Sequence, residues 1–184
     1  MCSYRHFGEE TIRKWHHPRI NLEDIGLRQG MVFMDVGCGY GFFTIQAARI
    51  VGEKGKVYGV DISDSAIERL KRKASDEGLT NITAKVGEAE ETVFCEDCAD
   101  MVFYGTVLHD FRDPAKVLRN AKQMIKENGK LVDLDWKKKT IVFGPPLRIR
   151  FSEEQAQTLI KQAGFKVESV RDVGRNFYIV TSKP

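Results

Sequence analysis

Three glycines, Gly37, Gly39 and Gly41, lie at alternate positions directly after a short apolar run, and Asp35 precedes them by two residues. We call residues 37–41 the glycine loop. Glycine lets the backbone turn sharply and approach a ligand closely, and a helix that begins at such a turn directs its first amide groups at the same point. The spacing is one residue shorter than the dinucleotide signature G-x-G-x-x-G. A carboxylate at Asp35 disfavours a pyrophosphate and favours a ligand that carries a positive charge.

A second carboxylate, Asp61, follows the glycine loop at the end of the next apolar run. In open α/β sheets an acidic residue about 20 residues beyond the glycines binds the hydroxyl groups of a ribose. The two carboxylates and the glycine loop therefore predict a site for an adenosine-like ribose joined to a cationic group, with no phosphate required.

The elements that must position these residues alternate between apolar runs and amphipathic segments. We predict strands at 31–36, 56–60, 81–86, 100–104 and 130–134, and a C-terminal hairpin of 165–173 and 177–181. We predict helices at 42–51, from Ser63, from Asp113-Pro114 to Asn128-Gly129 with Ile125 on the apolar face, and from Ser152 to Ala163-Gly164. This alternation predicts an α/β fold: a Rossmann-like, doubly wound, mainly parallel seven-stranded sheet with an antiparallel C-terminal hairpin strand.

Polar residues lie at the predicted carboxyl ends of four strands: Asp35, Asp61, Glu88 and Tyr104. Ligands of doubly wound sheets bind beyond the carboxyl ends of the strands. Four separate segments are thus expected to deliver polar groups to one edge of the sheet.

Composition limits the classes of protein that fit. The 184 residues are 42% hydrophobic and 30% charged, with a net charge of +3, which suits one globular domain and is too weakly basic to support a nucleic-acid partner. We expect an N-terminal appendage (1–30) with a short helix from Asn21 through Ile25, and a ligand-binding domain (31–184). The chain has no apolar run of about 20 residues, so no membrane span is expected. Without a secretory signal, a cytoplasmic protein with reduced thiols is expected, and a homo-oligomer stays possible.

Four ordered motifs resemble those of the class I S-adenosylmethionine-dependent methyltransferases. Residues 33–41 match the first motif and 57–63 the second-strand motif. Residues 87–90, Gly-Glu-Ala-Glu, match the third, which in that family usually reads Gly-Asp-Ala, and 108–114 resemble the segment after the fourth strand. The resemblance runs from about Asn21 to the end of the chain. It is closest to the small-molecule, quinone-biosynthesis group, and it implies S-adenosylmethionine as the cofactor and a small molecule as the acceptor.

The resemblance also implies which residues contact the cofactor: Asp35, Gly37, Cys38, Gly39, Gly41, Asp61, Ile62, Glu88, Ala89, Tyr104 and Gly105. The glycine loop would approach the methionine part, and Asp35 would hold its amino or sulfonium end, directly or through water. Asp61 would bind the ribose hydroxyls. Ile62 would pack against adenine, although it suits a plain core position equally well. Glu88, with a side chain longer than the usual Asp, would lie near the adenine amino group.

The catalytic residues are open. Methyl transfer is an in-line displacement, so a general base matters only if the acceptor must lose a proton. His109 and Tyr104 are the candidate bases, and a structural role for His109 is the competing interpretation. Asp113 is expected to cap the helix that follows it.

Cys95 and Cys98 have the spacing of zinc ligands, but a structural zinc needs four ligands and no second C-x-x-C is present. Cys2, His16 and His17 are the residues that would have to complete such a site. We predict no metal site. Methylation of a metalloid by these thiols would require them to reach the methyl group, and is a minor alternative.

The strongest basic cluster, Lys137-Lys138-Lys139 with Arg148 and Arg150, follows the fifth strand. It fits either a solvated surface or the anion-binding rim of an acceptor pocket.

Two other functions stay open. A non-catalytic module that retains the cofactor pocket would bind S-adenosylmethionine without turnover. An NAD-dependent oxidoreductase is disfavoured by the short glycine spacing and by Asp35. The sequence does not identify the acceptor.

Overall fold

The computed structural model describes residues 22–141 and 144–184. The expected helix cap Asn21 and the candidate ligands Cys2, His16 and His17 lie outside the described residues.

A seven-stranded sheet forms the centre of the described chain. Its strands are β1 (Val32–Val36), β2 (Lys56–Asp61), β3 (Ile82–Val86), β4 (Ala99–Gly105), β5 (Ile125–Trp136), β6 (Lys166–Val173) and β7 (Phe177–Lys183). Their order is β3-β2-β1-β4-β5-β7-β6. Strands β1 to β5 pair in parallel, and β7 pairs antiparallel with both β5 and β6. The predicted fold class is confirmed, and the order reverses between β1 and β4, where this type of sheet binds its ligands.

In the part of the chain that the structure describes, four α-helices cover the two faces of the sheet: α1 (Phe42–Val51), α2 (Asp64–Asp76), α3 (Pro114–Met124) and α4 (Glu153–Gln162). The cap predicted at Asp113 forms: its side chain accepts a hydrogen bond from the Lys116 amide. Ser63, at the predicted helix start, caps α2 in the same way by accepting from the Ala66 amide. Ser152 and Gln155 make a capping box at the start of α4. Two short 3₁₀ turns, Ala89–Glu91 and Leu108–Asp110, follow β3 and β4.

The core is divided by the sheet. On one face Tyr104 and Tyr178 pack with Leu118 of α3 and Ile160 of α4. On the other face Phe33, Phe103 and Trp136 pack against α1, while α2 covers Cys38 and Ala84. Because side chains of a strand alternate between faces, neighbouring residues of β4 and β5 reach different sides of the sheet.

The helix predicted to reach Asn128-Gly129 instead ends at Met124, and Ile125 begins β5. The carbonyl oxygens of Gln123 and Met124 accept backbone hydrogen bonds from Asp97 and Cys98, of 3.0 and 2.9 Å, and Ile125 pairs with Ala99. These bonds draw the chain into the sheet five residues before the Lys130 at which a strand was expected, and the apolar side chain of Ile125 suited either element.

Residues 22–30 form turns and not the expected helix. Leu22, Ile25 and Leu27 are buried against Phe33 and α1. This part of the predicted appendage therefore contributes to the core. Within the described ranges no helix is long and apolar enough to cross a membrane.

Candidate functional site

The glycine loop connects β1 to α1 in a conformation that requires glycine. Gly37, Gly39 and Gly41 have φ angles of +77°, +51° and +83°. The amides of Gly37 and Cys38 both donate to the Val60 carbonyl, at 2.8 and 3.0 Å. The loop is therefore fixed to the carboxyl end of β2, where Asp61 follows.

The three glycines have different surroundings. A Cβ atom at Gly37 would lie 2.6 Å from Val107 Cγ2, and one at Gly41 would lie 2.3 Å from Leu70 Cδ1. A Cβ at Gly39 would have no atom of the described protein within 4 Å. Gly37 and Gly41 are thus required by packing as well as by conformation, whereas Gly39 borders open space at the tip of the loop.

Asp61 joins the glycine loop to the start of α2. Its Oδ2 accepts the Gly39 amide hydrogen at 2.8 Å, and its Oδ1 accepts that of Ser63 at 2.9 Å. These bonds fix the orientation of the carboxylate. Each oxygen can still accept another hydrogen bond, as a ribose diol requires, because an ionised carboxylate has about four acceptor positions.

Ile62 follows Asp61 and has 75% of its surface exposed. The core interpretation of Ile62 is therefore wrong. Val86 at the end of β3 is also exposed, as is Glu88, whereas Ala89 is buried. An exposed apolar side chain beside the fixed carboxylate suits the flat face of an adenine ring.

Asp35 lies beneath the loop and is only 2% exposed. Thr44 Oγ1, from α1, donates to its Oδ2 at 2.6 Å. Burial raises the pKa of Asp35 to about 7. The hydrogen bond from Thr44 lowers this pKa, and the charge of Asp61 adds a smaller rise. A cationic group bound nearby would stabilise the ionised form.

Cys38 lies inside the loop, but its thiol points into the core beneath α2. Burial raises the pKa of this thiol well above its usual value. Only the backbone of Cys38 is therefore placed to contact a ligand.

Tyr104 is wrong as a candidate base. Its side chain is fully buried on the α3 face, and its hydroxyl donates to the Val117 carbonyl at 3.3 Å. Burial and then the charge of Asp133 raise the pKa of Tyr104 beyond its usual range. Only the backbone of Tyr104 and Gly105 remains at the sheet edge. A Cβ at Gly105 would lie 2.8 Å from ring atoms of Phe43, so close packing of α1 requires glycine there.

His109 makes a buried pair with Asp135, a residue that the sequence analysis missed. The His109 Nδ1 atom lies 2.8 Å from both carboxylate oxygens of Asp135, and both side chains are 1% exposed. Burial lowers the pKa of His109, but the charge and hydrogen bond of Asp135 outweigh burial and hold that pKa above its usual value. The available signal was the run Leu131-Val132-Asp133-Leu134-Asp135, in which two acidic residues occupy one face of a strand expected to be buried.

The segment between β4 and this pair packs on the glycine loop. Thr106 has a φ of +59°, which is costly for a β-branched residue, and its amide donates to the Leu134 carbonyl at 2.6 Å. Val107 then contacts Gly37. Strained backbone of this kind concentrates at functional sites, and here it holds the turn Leu108–Asp110 beside the predicted methionine end of the ligand.

The basic cluster is largely engaged with other parts of the protein. Lys137 pairs with Asp172 of β6 at 2.6 Å, and Lys138 donates to Gln155 of α4 at 2.9 Å. Arg150 is buried, and its Nε donates to the Pro145 carbonyl at 2.7 Å. These contacts favour a role in fixing the loop after β5 over a free anion-binding rim.

The expectation of reduced thiols is wrong for Cys95 and Cys98, which are joined by a disulfide just before β4 begins. The cofactor-side residues follow the other end of β4, which spans roughly 20 Å. The two sulfur atoms therefore do not converge with the glycine loop, and their pairing as well as their distance argues against their direct use in methylation of a metalloid. Among the described residues no group of three His, Cys, Asp or Glu side chains could hold a metal ion.

The residues present fit S-adenosylmethionine. Asp61 has two oriented oxygens that could accept hydrogen bonds from a ribose, and Ile62 has an exposed apolar surface that could cover adenine. Gly39 borders open space that could take the methionine part of the cofactor. Asp35, which is buried near enough to feel the charge of Asp61, is a carboxylate that a bound cation would ionise.

Comparison with known proteins identifies the family of the chain. Residues 27–170 match the family described as "Methyltransferase domain". The C-methyltransferase UbiE of ubiquinone/menaquinone biosynthesis from Proteus mirabilis is 32% identical over 133 residues, which cover 72% of this chain and 51% of that protein. The demethylmenaquinone methyltransferase of Staphylococcus aureus is 32% identical over 120 residues, which cover 65% of this chain and 49% of that protein. The chain thus spans about half the length of these curated relatives.

A crystal structure of a S-adenosylmethionine-dependent methyltransferase from Aquifex aeolicus superposes with a TM-score of 0.85 at 29% identity, and the match covers 96% of this chain and 98% of that one. The arsenic(III) methyltransferase CrArsM of Chlamydomonas reinhardtii, with a TM-score of 0.70 at 22% identity over 85% and 64% of the two chains, shares the fold. The chain belongs to the methyltransferase domain family, in the class I group whose cofactor is S-adenosylmethionine.

Proposed function

We propose that the protein transfers the methyl group of S-adenosylmethionine to a small-molecule acceptor with a quinol-type or other hydroxylated ring. The observation that supports the cofactor site most directly is the hydrogen bond between Asp61 and the Gly39 amide, with open space above Gly39. It combines an oriented ribose acceptor with backbone that a ligand can approach closely.

The protein's own contribution is positioning. Asp61 would accept hydrogen bonds from the ribose, Ile62 would cover adenine, and the glycine loop would contact the methionine part. Asp35 and Thr44 would balance the positive charge from beneath. When bound, S-adenosylmethionine supplies an activated methyl group, so the protein mainly has to align the acceptor and exclude water.

The acceptor class rests on the relatives. They are named for ubiquinone/menaquinone biosynthesis and for demethylmenaquinone. The turn Leu108–Asp110 and the loop after β5 lie at the sheet edge where an acceptor would meet the methionine end. The cytoplasmic location expected from the sequence stays a prediction.

Transfer of a labelled methyl group tests the proposal. The protein is incubated with methyl-labelled S-adenosylmethionine and a reduced short-chain demethylmenaquinone, and then with a panel of phenols, catechols and amines. We expect label in a ring-hydroxylated product, with loss of transfer in Asp61→Ala. Cofactor binding without label in any acceptor would contradict catalysis and favour the non-catalytic module.

A further inference from the structure

Three side chains form an array that leads from the interior to the surface beside the predicted acceptor position. Asp135 is buried at the end of β5, His109 bridges it, and the Nε2 of His109 lies 3.6 Å from Asp110 Oδ1. The Asp110 side chain is 42% exposed, whereas those of His109 and Asp135 are 1% exposed. Of the three groups, only the Asp110 carboxylate is available to a bound molecule.

We propose that Asp110 is the general base of the methyl transfer and that His109, held by Asp135, is a positioning residue that sets its charge environment. This inference rests on the proposed function and specifies its acceptor as a molecule that must lose a proton from a hydroxyl group.

The position of Asp110 supports this role. It ends the 3₁₀ turn that follows β4, and its amide donates to the Val107 carbonyl at 2.9 Å. Val107 contacts Gly37, so the turn is packed against the glycine loop. The backbone of Asp110 is therefore held after the carboxyl end of β4, on the sheet edge where the methionine end is predicted.

The charges around the array also fit a proton acceptor. Burial raises the pKa of Asp110, and the charge of Asp135 raises it further. The charge of His109 lowers this pKa but does not outweigh burial. Arg150, from the loop after β5, lowers the pKa of His109. Burial, and then the charge of Asp135, raise the pKa of Asp133, two residues earlier on the same strand, well above its usual value.

The step balances without another reactant. The acceptor gives its hydroxyl proton to a carboxylate oxygen of Asp110. The electron pair thereby made available, on oxygen or on a conjugated ring carbon, forms the bond to the methyl carbon while the carbon–sulfur bond breaks and leaves its pair on sulfur. When a ring carbon takes the methyl group, that carbon then loses its own hydrogen to solvent as a proton, which restores the aromatic ring, and the ring oxygen regains a proton from solvent. Asp110, being partly exposed, returns its proton to solvent.

Two measurements test the inference with the variants Asp110→Asn, Asp135→Asn and Asp133→Asn. The first is the imidazole pKa of His109 by nitrogen NMR in the free protein, assigned with His109→Gln. We expect a lower pKa in Asp110→Asn and a larger fall in Asp135→Asn. Asp133→Asn is the matched control: it changes a carboxyl on the same strand face that makes no hydrogen bond to His109 and does not contribute to the shift of the His109 pKa, so it should leave the value unchanged. An unchanged His109 pKa in Asp110→Asn would refute the electrostatic coupling of Asp110 to His109.

The second measurement is the pH profile of turnover with reduced short-chain demethylmenaquinone. We expect Asp110→Asn to lower kcat at least about 100-fold, as for loss of a general base, with calorimetric affinity for S-adenosylmethionine unchanged. Asp135→Asn should displace the pH profile. Turnover of Asp110→Asn within threefold of wild type would overturn the inference. Failure of the wild type to bind S-adenosylmethionine would instead contradict the proposed function. The NMR result would still show whether Asp110 and Asp135 are coupled to His109.

Discussion

Replacing Gly39 by alanine should separate ligand binding from folding. An alanine at a φ of +51° is strained, which costs about 1–2 kcal/mol. No described atom lies within 4 Å of the new Cβ, so no packing cost is added. The methyl group would instead occupy space that the ligand needs. We expect at least a tenfold weaker affinity for S-adenosylmethionine, which is about 1.4 kcal/mol.

Two other glycines supply the controls. Gly78, after α2, has a φ of +67° and equally open surroundings, so Gly78→Ala should lose similar stability and keep its affinity. Gly41→Ala adds a contact of 2.3 Å with Leu70 and should lose a further 1–3 kcal/mol, in the usual range for overpacking. Urea denaturation gives the free energy of unfolding and calorimetry the affinity. If Gly39→Ala bound S-adenosylmethionine as tightly as Gly78→Ala, the loop would not contact the ligand.

Three further predictions concern the carboxylates and the adenine surface. The folded state holds the Asp35 proton more tightly than the unfolded chain does, because burial raises the pKa of Asp35 to about 7. Asp35 therefore stabilises the fold fully below a pH of about 4, and this stabilisation, roughly 4 kcal/mol, is lost as the pH rises through about 7. Urea denaturation between pH 4 and 8 should show this fall in wild type and not in Asp35→Asn; parallel profiles would refute it. Asp61→Ala should weaken cofactor binding by about 1.5–3 kcal/mol for each charge-assisted hydrogen bond that is lost, and unchanged calorimetric affinity would refute the ribose assignment. Ile62→Ser should leave the free energy of unfolding within about 0.5 kcal/mol and weaken binding several-fold; wild-type affinity would mean that Ile62 does not contact adenine.

The parts of the site that sequence reasoning located depend on local conformation. Alternate glycines predicted the turn at 37–41, and side-chain caps predicted the starts of α2 to α4, because each signal acts within a few residues. Asp61 could be assigned because its place after β2 follows from the spacing of the fold.

The parts that it missed depend on contacts between distant segments. Asp135 lies 26 residues from His109, and its pairing is set by which face of β5 meets the turn after β4. Tyr104 was assigned to the edge by its position at the strand end, but strand alternation directs its side chain into the α3 face. Ile125 lies in β5 and not in the predicted helix, because the backbone amides of Asp97 and Cys98 donate hydrogen bonds to the last carbonyl groups of α3. An apolar residue fits either element, so only the tertiary hydrogen bonds decide between them.

Calorimetric titration of the wild-type protein with S-adenosylmethionine, S-adenosylhomocysteine and NAD tests the central claim most directly. We expect micromolar binding of the first two, none of NAD, and at least tenfold weaker binding of both adenosyl compounds in Gly39→Ala but not in Gly78→Ala. Binding of NAD, or no binding of either adenosyl compound by a folded protein, would contradict the assignment of the sheet edge as an S-adenosylmethionine site.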